Sequence, residues 1–432
     1  MPLKRLLCAL VLSACPPPPS TTIDAGAIDA GSMVEPQNDA GTTTRAPFDA
    51  GTRPDGPTPG ELTYWQLDLP PGPLARTGEA GILVGADGTL VLIDVGNSNH
   101  DDDVIAAVRE LNTQWLTTAR GYARARGELE VDWVLLTHFH ADHIAAFDAL
   151  ASQLTITRGV VHRGFVDVGP GTNESDFSAV CNQLRGALAS KNFSLCTASP
   201  ESACTISARA AAMGCPGLTR GDLSRTDDDA SGDPSFIDLG SGARLEILGV
   251  NGFMLQGRTP VASTPFGVTD VNEENARSLV VLVRHGAFRY LHAGDLSGSG
   301  LSTEPDLESF VVNSAPLVFA DGGIDVTHAN HHARKTSSNA NWIAASAPSD
   351  GKTRNVLAGI NAAYVNSPHQ ETLDAWTNGT RLGGGTVVMT HRAPLGGTVT
   401  AMTDVNGRAV LQTVQGGDGY WLASKAFEAV RR

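Results

Sequence analysis

The chain has 432 residues, of which 41% are hydrophobic, and its formal net charge is -15 at pH 7. This length is enough for a large hydrophobic core in one or more domains. The acidic balance excludes a protein that coats nucleic acid non-specifically, because that mode of binding uses lysine and arginine to neutralise phosphates.

The N-terminal segment has the organisation of an export signal. Lys4 and Arg5 precede the apolar run 6–12, and small residues lead to Cys15. The pattern resembles a bacterial lipoprotein signal, which implies removal of residues 1–14 and diacylglyceryl modification of Cys15. Because more than one acyl chain anchors stably, we expect an exported protein, lipid-anchored to the cell envelope in the periplasm or at the cell surface. A cytoplasmic protein with an apolar start is the alternative.

Residues 15–60 have the composition of a tether. They are rich in proline, threonine, glycine, aspartate and alanine, and Asp-Ala-Gly recurs at positions 24, 29, 39 and 49. With few large apolar side chains, such a segment cannot form a core, so we predict a disordered linker. The folded domain is predicted to span 61–432.

The domain alternates short apolar runs with turn residues and amphipathic stretches, a pattern typical of the α/β class. Later segments are too short or too polar to span a bilayer, which takes about 20 apolar residues. Predicted strands cover 62–69, 81–84, 89–95, 131–136, 155–161, 243–250, 278–284, 287–292 and 354–360, three more lie within 386–422, and helices cover 101–111, 144–150, 339–345 and 369–376.

The stretch 137–143, Thr-His-Phe-His-Ala-Asp-His, lies between a buried strand and a helix. Imidazole and carboxylate side chains together suit zinc or a similar divalent ion. The spacing divides the four side chains between two neighbouring positions, which suggests two metal ions. A chance group of surface histidines is the alternative. The four candidate ligands are His138, His140, Asp142 and His143.

This HxHxDH pattern after a strand resembles the signature of the metallo-β-lactamase superfamily. The resemblance implies a four-layer αββα sandwich with a one- or two-metal site. Further features resemble one branch, the hydrolase domain of the DNA-uptake channel protein of competent bacteria. Ala333-Arg334 departs from that branch, which usually has Gly-Ser there. The features are Asn275 before a strand, Gly294-Asp295, the double histidine His331-His332, and Pro368-His369.

The resemblance implies two divalent metal ions, with zinc first and manganese or iron as alternatives. Asp94, at the end of a strand, would support the ligands through hydrogen bonds, although a turn aspartate without a role is the alternative. Asp142 and Asp295 would be required for catalysis. The implied ligands are His138, His140 and His331 for one ion, Asp142 and His143 for the other, Asp295 as a bridge, and His332 either at the second ion or on substrate.

Other side chains have less specific roles. Many superfamily members have a further histidine before the bridging aspartate, and His162 is the one stand-in, with a structural role as its alternative. The loop 334–338 is expected to contact substrate, because phosphoryl oxygens accept several hydrogen bonds. The expected substrate-binding residues are Asn275, Lys335, Ser337 and His369, the last of which could instead be a solvent-exposed histidine.

The segment 165–235 is predicted to be an insertion that contains four cysteines. In an oxidising compartment an even, clustered set indicates two disulfides, of which three pairings are possible. A second zinc site is the rival interpretation. The simplest pairing is Cys181 with Cys196 and Cys204 with Cys215.

The implied chemistry is hydrolysis by a metal-activated hydroxide outside the cytoplasm. The leading hypothesis is a phosphodiesterase or nuclease-like enzyme whose partner is a small-molecule, nucleic-acid or envelope phosphoester substrate. The alternatives are a lactone or β-lactam hydrolase and a non-catalytic surface binding module. No obligate protein partner is predicted, and the membrane contact is the N-terminal lipid anchor.

Overall fold

A computed structural model describes the chain over most of its length after residue 55. The predicted signal 1–14, Cys15, Cys204 and Cys215 lie outside the described residues. The described residues all belong to one unit of the chain, Phe48–Arg432. None of the helices in the described part of the chain has both the length and the hydrophobicity of a membrane-spanning segment. The described ranges are 56–69, 78–165, 172–196, 236–256, 259–262, 274–299, 305–320, 323–358, 368–378, 381–389, 403–404, 408–417 and 419–424.

The strands of the described residues form two sheets. In chain order they are β1 (Thr63–Gln66), β2 (Gly81–Val84), β3 (Leu90–Ile93), β4 (Glu130–Leu136), β5 (Thr155–His162), β6 (Asn192–Ser194), β7 (Phe236–Asp238), β8 (Arg244–Val250), β9 (Phe253–Gln256), β10 (Thr259–Ala262), β11 (Val280–His285), β12 (Phe288–His292), β13 (Val326–His328), β14 (Asn355–Ala358), β15 (Val387–Met389), β16 (Thr403–Asp404), β17 (Ala409–Thr413) and β18 (Tyr420–Ser424).

The helices cover the outer faces of the sheets. They are α1 (Asp101–Glu110), α2 (Ala141–Ile144), α3 (Phe147–Gln153), α4 (Glu174–Arg185), α5 (Leu307–Ser314), α6 (Pro316–Phe319), the short turn α7 (Asn330–Ala333), α8 (Ala340–Ser346) and α9 (Gln370–Thr377). A π-helical turn, Leu111–Trp115, extends α1, and 3-10 turns occur at Thr118–Arg120, Ala189–Lys191, Asn275–Arg277 and Gln415–Gly417.

The first sheet has the order β18-β17-β1-β2-β3-β4-β5-β6, and β3 to β6 run parallel. The second has the order β10-β9-β8-β11-β12-β13-β14-β15-β16, with β7 beside β8, and β12 to β16 run parallel. Side chains at the carboxyl ends of parallel strands meet at one edge of a sheet, which is where open α/β sheets bind ligands.

Strand β4 shows why the core has layers. Five of its seven residues are apolar and the last six are buried, as expected of a parallel strand that is buried on both faces. Successive side chains alternate between faces, so Trp133 and Leu135 contact the core between the sheets. Val134 and Leu136 pack in the cluster that contains residues of α1, α3 and α4. A third cluster joins the second sheet to α5, α8 and α9, which makes the layer order αββα.

Two boundaries differ from the sequence predictions. The predicted insertion 165–235 begins too early, because α4 and β6 lie within it and β6 extends the first sheet beside β5. Phe177, Val180 and Leu184 give α4 a buried face at helical spacing. Contacts with the domain also begin before residue 61, since the Gly56 carbonyl accepts a hydrogen bond from Gln412 Nε2 at 3.1 Å.

Candidate metal centre

The carboxyl ends of four strands place polar side chains at one site. Asp94 follows β3, and the loop 137–143 follows β4. From the second sheet, Asp295 follows β12, and the double histidine follows β13. The halves are joined through the backbone, because the Leu279 amide donates to the Thr137 carbonyl at 3.0 Å. Asp94 and His332, which are 238 positions apart in the sequence, therefore share one site.

Asp94 orients two of the histidines. Its Oδ2 lies 2.8 Å from His143 Nδ1 and accepts a 2.6 Å hydrogen bond from Thr137 Oγ1. The Thr137 hydroxyl proton is thus used on Asp94, and the oxygen is left to accept from His138 Nδ1 at 3.1 Å. In both imidazoles the proton is directed to Nδ1, and Nε2 keeps its lone pair for a metal.

Asp295 is buried at the centre of this group. Its Oδ1 is 3.4 Å from His143 Nε2, and its Oδ2 is 3.4 Å from His332 Nε2 and 3.8 Å from His138 Nε2. Asp142 Oδ2 is 3.3 Å from His332 Nε2. Both oxygens of Asp295 therefore face imidazole nitrogens, one on each side.

These separations fit a metal site. Two ligand atoms at about 2.0–2.2 Å from one zinc ion in tetrahedral geometry are about 3.3–3.6 Å apart. His143 Nε2 and Asp295 Oδ1 are buried, face each other at 3.4 Å and have no hydrogen-bond partner within the described residues. Two groups of possible ligands share Asp295: one adds His138 and His140, and the other adds Glu79, His143 and His332.

The electrostatics of the site also favour a cation. Burial opposes charge on His143 and His332, yet Asp295 and neighbouring carboxylates raise the pKa of both rings well above its ordinary value. Burial likewise opposes charge on Asp142 and Asp295, and the surrounding histidines hold the pKa of both carboxyl groups well below its usual range. The carboxylates are therefore ionised, and they attract positive charge.

The double histidine lies on a strained turn. His331, His332 and Ala333 have φ values of 51°, 52° and 57°, a left-handed region that costs non-glycine residues energy. The buried carboxylate of Glu308 stabilises the segment that follows. It accepts hydrogen bonds from the amides of Ser338 and Asn339 at 2.6 and 2.7 Å, and from Asn330 Nδ2 at 2.7 Å.

His331 is placed differently from its predicted ligand role. Its Nε2 lies 3.9 Å from Asp295 Oδ2, but Asn275 Nδ2 and Arg334 Nη1 approach the same nitrogen at 3.1 and 3.0 Å. Thr336 Oγ1 lies 3.2 Å from Nδ1. Among the described residues, His331 joins neither ligand group. Burial and nearby cations lower the pKa of His331 to about 3, so the ring is neutral near pH 7.

His162 is used elsewhere. Its Nε2 lies 2.7 Å from Asn192 Oδ1, and its Nδ1 accepts from the Gly164 amide at 3.1 Å. Both ring nitrogens are therefore engaged, and the structure corrects the suggestion that His162 is an extra ligand. Burial lowers the pKa of His162 to about 4, which agrees with a neutral structural histidine.

The predicted substrate-binding residues fall into two groups. Asn275 contacts His331, and the His369 amide donates to the Ala333 carbonyl at 2.9 Å, beside the double histidine. Ser337 is buried and its hydroxyl donates to the Asn330 carbonyl at 2.6 Å, so it stabilises the turn. Lys335 is exposed and pairs with Glu371 at 3.2 Å.

Sequence reasoning did not assign Glu79, His292 or His328 to the site. Glu79 is 3% exposed and contacts His328 and His332, while the rings of His292 and His328 stack at 4.1 Å. A glutamate just before an apolar strand and histidines at two strand ends were visible signals. Nothing local indicated that the three residues meet.

The comparisons with known proteins bear on the first half of the domain. Residues 78–178 match the family model described as the Metallo-beta-lactamase superfamily. Residues 78–178 are therefore part of a metallo-β-lactamase superfamily domain. The predicted superfamily and its hydrolase fold are thereby confirmed, and the two sheets agree with that fold. No curated protein matches the chain significantly.

Solved structures similar to this metallo-β-lactamase domain have low identity. A metallo-β-lactamase from Cronobacter sakazakii with the HARLDQ motif is 12% identical, with a TM-score of 0.27, over 58% of this chain and 71% of that chain. A metallo-β-lactamase from Novosphingobium pentaromativorans is 14% identical, with a TM-score of 0.26, over 58% of this chain and 68% of that chain. An archaeal metallo-β-lactamase superfamily protein from Sulfolobus tokodaii is 17% identical, with a TM-score of 0.23, over 56% of this chain and 66% of that chain. Sequence identities and TM-scores this low carry no information about the substrate of this chain.

Proposed function

We propose that this protein is a metal-dependent phosphodiesterase or nuclease-like hydrolase with two divalent ions, preferably zinc, and that it is related to the DNA-uptake branch named above. When bound, such ions activate water near neutral pH and polarise a phosphoryl oxygen. The protein supplies the ligands. Asp295 faces histidines on both sides, and Asp94 keeps two imidazoles in the tautomer that binds metal.

One observation favours an anionic substrate over a neutral one. Arg334 lies at the border of the buried ligands, partly exposed, with Nη1 3.0 Å from His331 Nε2. Partly exposed His140 also acts electrostatically on His331. A guanidinium group is always charged and can donate two hydrogen bonds to a phosphate. We infer that Arg334 binds a non-bridging oxygen of the substrate.

The test uses the purified full chain loaded with zinc or manganese. Bis-p-nitrophenyl phosphate, a fluorogenic lactone and nitrocefin are offered in turn. The proposal expects turnover of the phosphodiester, which is lost in Asp142→Ala and in Asp295→Ala. Turnover of the lactone or nitrocefin alone would replace the proposal by its lactonase or β-lactamase alternative. A metal-free chain without turnover would favour the binding module.

A second experiment tests the role of Arg334. Arg334→Gln should raise KM for the phosphodiester by about tenfold or more, because hydrogen bonds to charged groups contribute on the order of 1.5–3 kcal/mol. Arg334→Lys should recover part of this effect. Lys335→Gln is the matched control, since it removes a neighbouring charge that is exposed and paired with Glu371. Equal effects at both positions would exclude a specific contact.

We further propose that the protein is exported and anchored by lipid at Cys15. The support is the arrangement of Lys4, Arg5, the apolar run 6–12 and small residues before the cysteine. Metabolic labelling with a palmitate analogue should mark the wild-type chain but not Cys15→Ser. Cys8→Ser is the control and should be labelled normally. Labelling of Cys15→Ser would contradict the proposal.

The disulfides of the cysteine-containing segment also remain a proposal. Cys181 and Cys196 are fully buried, whereas Cys204 and Cys215 lie outside the described residues. Titration of the denatured, unreduced chain should find none of these four thiols reactive. Four reactive thiols would exclude both disulfides.

A further inference from the structure

Glu79 lies between His328, at the end of β13, and His332, on the turn that follows. It is 3% exposed, its Oε2 is 2.9 Å from His332 Nδ1, and its Oε1 contacts His328 Nε2. Each oxygen of the Glu79 carboxyl group therefore faces one imidazole nitrogen.

The backbone fixes Glu79 beside the HxHxDH loop. Its amide donates to the Asp142 carbonyl at 2.9 Å, and its carbonyl accepts from the Gly96 amide at 3.0 Å. Gly78 permits this approach, because a Cβ atom at that position would lie 2.8 Å from the Asp142 carbonyl oxygen. The carboxylate thus extends from a rigid part of the first sheet to the double histidine of the second half.

His292 and His328 support Glu79 from the other side. His292 Nδ1 accepts from the Gly294 amide at 3.2 Å, which leaves the ring proton on Nε2, 4.0 Å from Glu79 Oε1. The two rings stack with an interplanar angle of 17°. Glu79, His292 and His328 are close enough to hold an ion of their own. However, the Gly294 amide already uses His292 Nδ1, and Nε2 of both rings is directed to Glu79 Oε1, so we interpret the trio as a polar support.

We propose that Glu79 is the positioning residue of His332 in the metal centre. A carboxylate at Nδ1 keeps the ring proton there, so Nε2 presents its lone pair to the ions. That Nε2 is 3.3 Å from Asp142 Oδ2 and 3.4 Å from Asp295 Oδ2. Glu79 thus contacts Nδ1 of His332 in the same way that Asp94 contacts Nδ1 of His143. The inference rests on the proposed metal centre but not on its substrate.

The test is a titration of the metal-free full chain with Co²⁺, followed by its visible spectrum. Loss of such a supporting carboxylate typically weakens metal affinity by about 10–100-fold. Glu79→Gln should show that loss at one of two sites, with an altered spectrum for that site only. The site of His138 and His140 should keep its affinity. Glu79→Ala should show the larger loss.

The matched control is Glu246→Gln. Glu246 is also buried in the domain, but its partners are Arg244 and Arg284. Glu246→Gln should leave the Co²⁺ affinity of both sites unchanged. A loss of affinity equal to that of Glu79→Gln would indicate general destabilisation and overturn the proposal. Unchanged affinity and spectrum in Glu79→Gln would also overturn it. Because the titration needs no substrate, wild-type protein that binds Co²⁺ without cleaving a phosphodiester would refute only the proposed function.

Discussion

The Asp94 carboxylate contacts His143 Nδ1 at 2.8 Å, and it thereby decides which nitrogen of that ring faces Asp295. Through the Thr137 hydroxyl group it also acts on His138. One aspartate at the end of β3 therefore sets the tautomer of a histidine in each ligand group. Because Asp94 lies at the end of a strand, it holds these two rings more precisely than a residue on a loop would.

Asp94→Asn should weaken metal binding by about 10–100-fold, because an amide can donate a hydrogen bond and no longer enforces a proton on Nδ1. Unlike Glu79→Gln, it should affect both sites, since His143 and His138 both depend on Asp94. Zinc titration against a chelating indicator measures the change. Asp132→Asn is the control: Asp132 is equally buried in the first sheet but pairs with Arg126 at 2.7 Å. A loss confined to one site would contradict the shared role.

Metal binding should release protons and weaken in acid. The pKa values of His143 and His332 are raised well above the ordinary value in the metal-free chain, chiefly by Asp295 acting against burial. Both rings are thus protonated near pH 7, and an ion must displace about two protons per chain. Calorimetric titration in buffers of different ionisation enthalpy counts them. A metal affinity that changes by less than about tenfold between pH 6 and pH 8 would contradict this release of protons.

The same shifts affect stability without metal. A raised folded-state pKa contributes stability that is fully present below the unfolded value of about 6.5 and is lost as the pH rises through the folded value. The metal-free chain should therefore lose stability toward alkaline pH, and added zinc should restore it. Urea unfolding with and without chelator measures both curves. Parallel curves would show that the histidine cluster is not linked to folding.

Glu308 should make stability depend on pH near neutrality. Burial raises its pKa from 4.5 to about 7, so its contribution is present below about pH 4.5 and is lost as the pH rises through about 7. The wild type should lose on the order of 3 kcal/mol relative to Glu308→Gln between those limits. Urea unfolding of metal-free protein at several pH values tests this. Glu371→Gln, at an exposed position, should show no such difference.

The buried pair of Arg163 and Glu274 should be essential to the metal loop. Arg163 Nε lies 2.7 Å from Glu274 Oε1, both side chains are fully buried, and Glu274 also accepts from the Phe139 amide at 2.9 Å. Arg163→Met should cost about 3–5 kcal/mol of unfolding free energy, because it leaves a buried carboxylate without its cation. Adding Glu274→Gln should recover part of the loss. A double variant less stable than the single one would contradict this explanation.

Much of the site could be predicted because its signals are local. The HxHxDH loop and Gly294-Asp295 each follow a strand that is mostly buried, and polar residues at such strand ends stand out. Strand order then brings them together, since carboxyl ends of parallel strands share an edge. Helix α4 was also detectable from the spacing of Phe177, Val180 and Leu184, but its serine, aspartate and cysteine content masked the pattern.

The rest could not be predicted because it depends on the packing of the two sheets. Glu79 and His328 are 249 positions apart, and neither belongs to a local pattern that predicts a buried contact. The orientation of His331 depends equally on Arg334 and Asn275, whose approach follows from a left-handed turn. Side-chain direction at such a turn is not encoded in residue spacing.

A two-ion centre that shares Asp295 can be tested by measuring the metal content of the chain. The full chain is purified without chelator, equilibrated with zinc, freed of excess metal and measured by plasma mass spectrometry against its protein concentration. We expect two ions per chain in the wild type and loss of metal in Asp295→Ala. One ion per chain in the wild type, or two in Asp295→Ala, would contradict it.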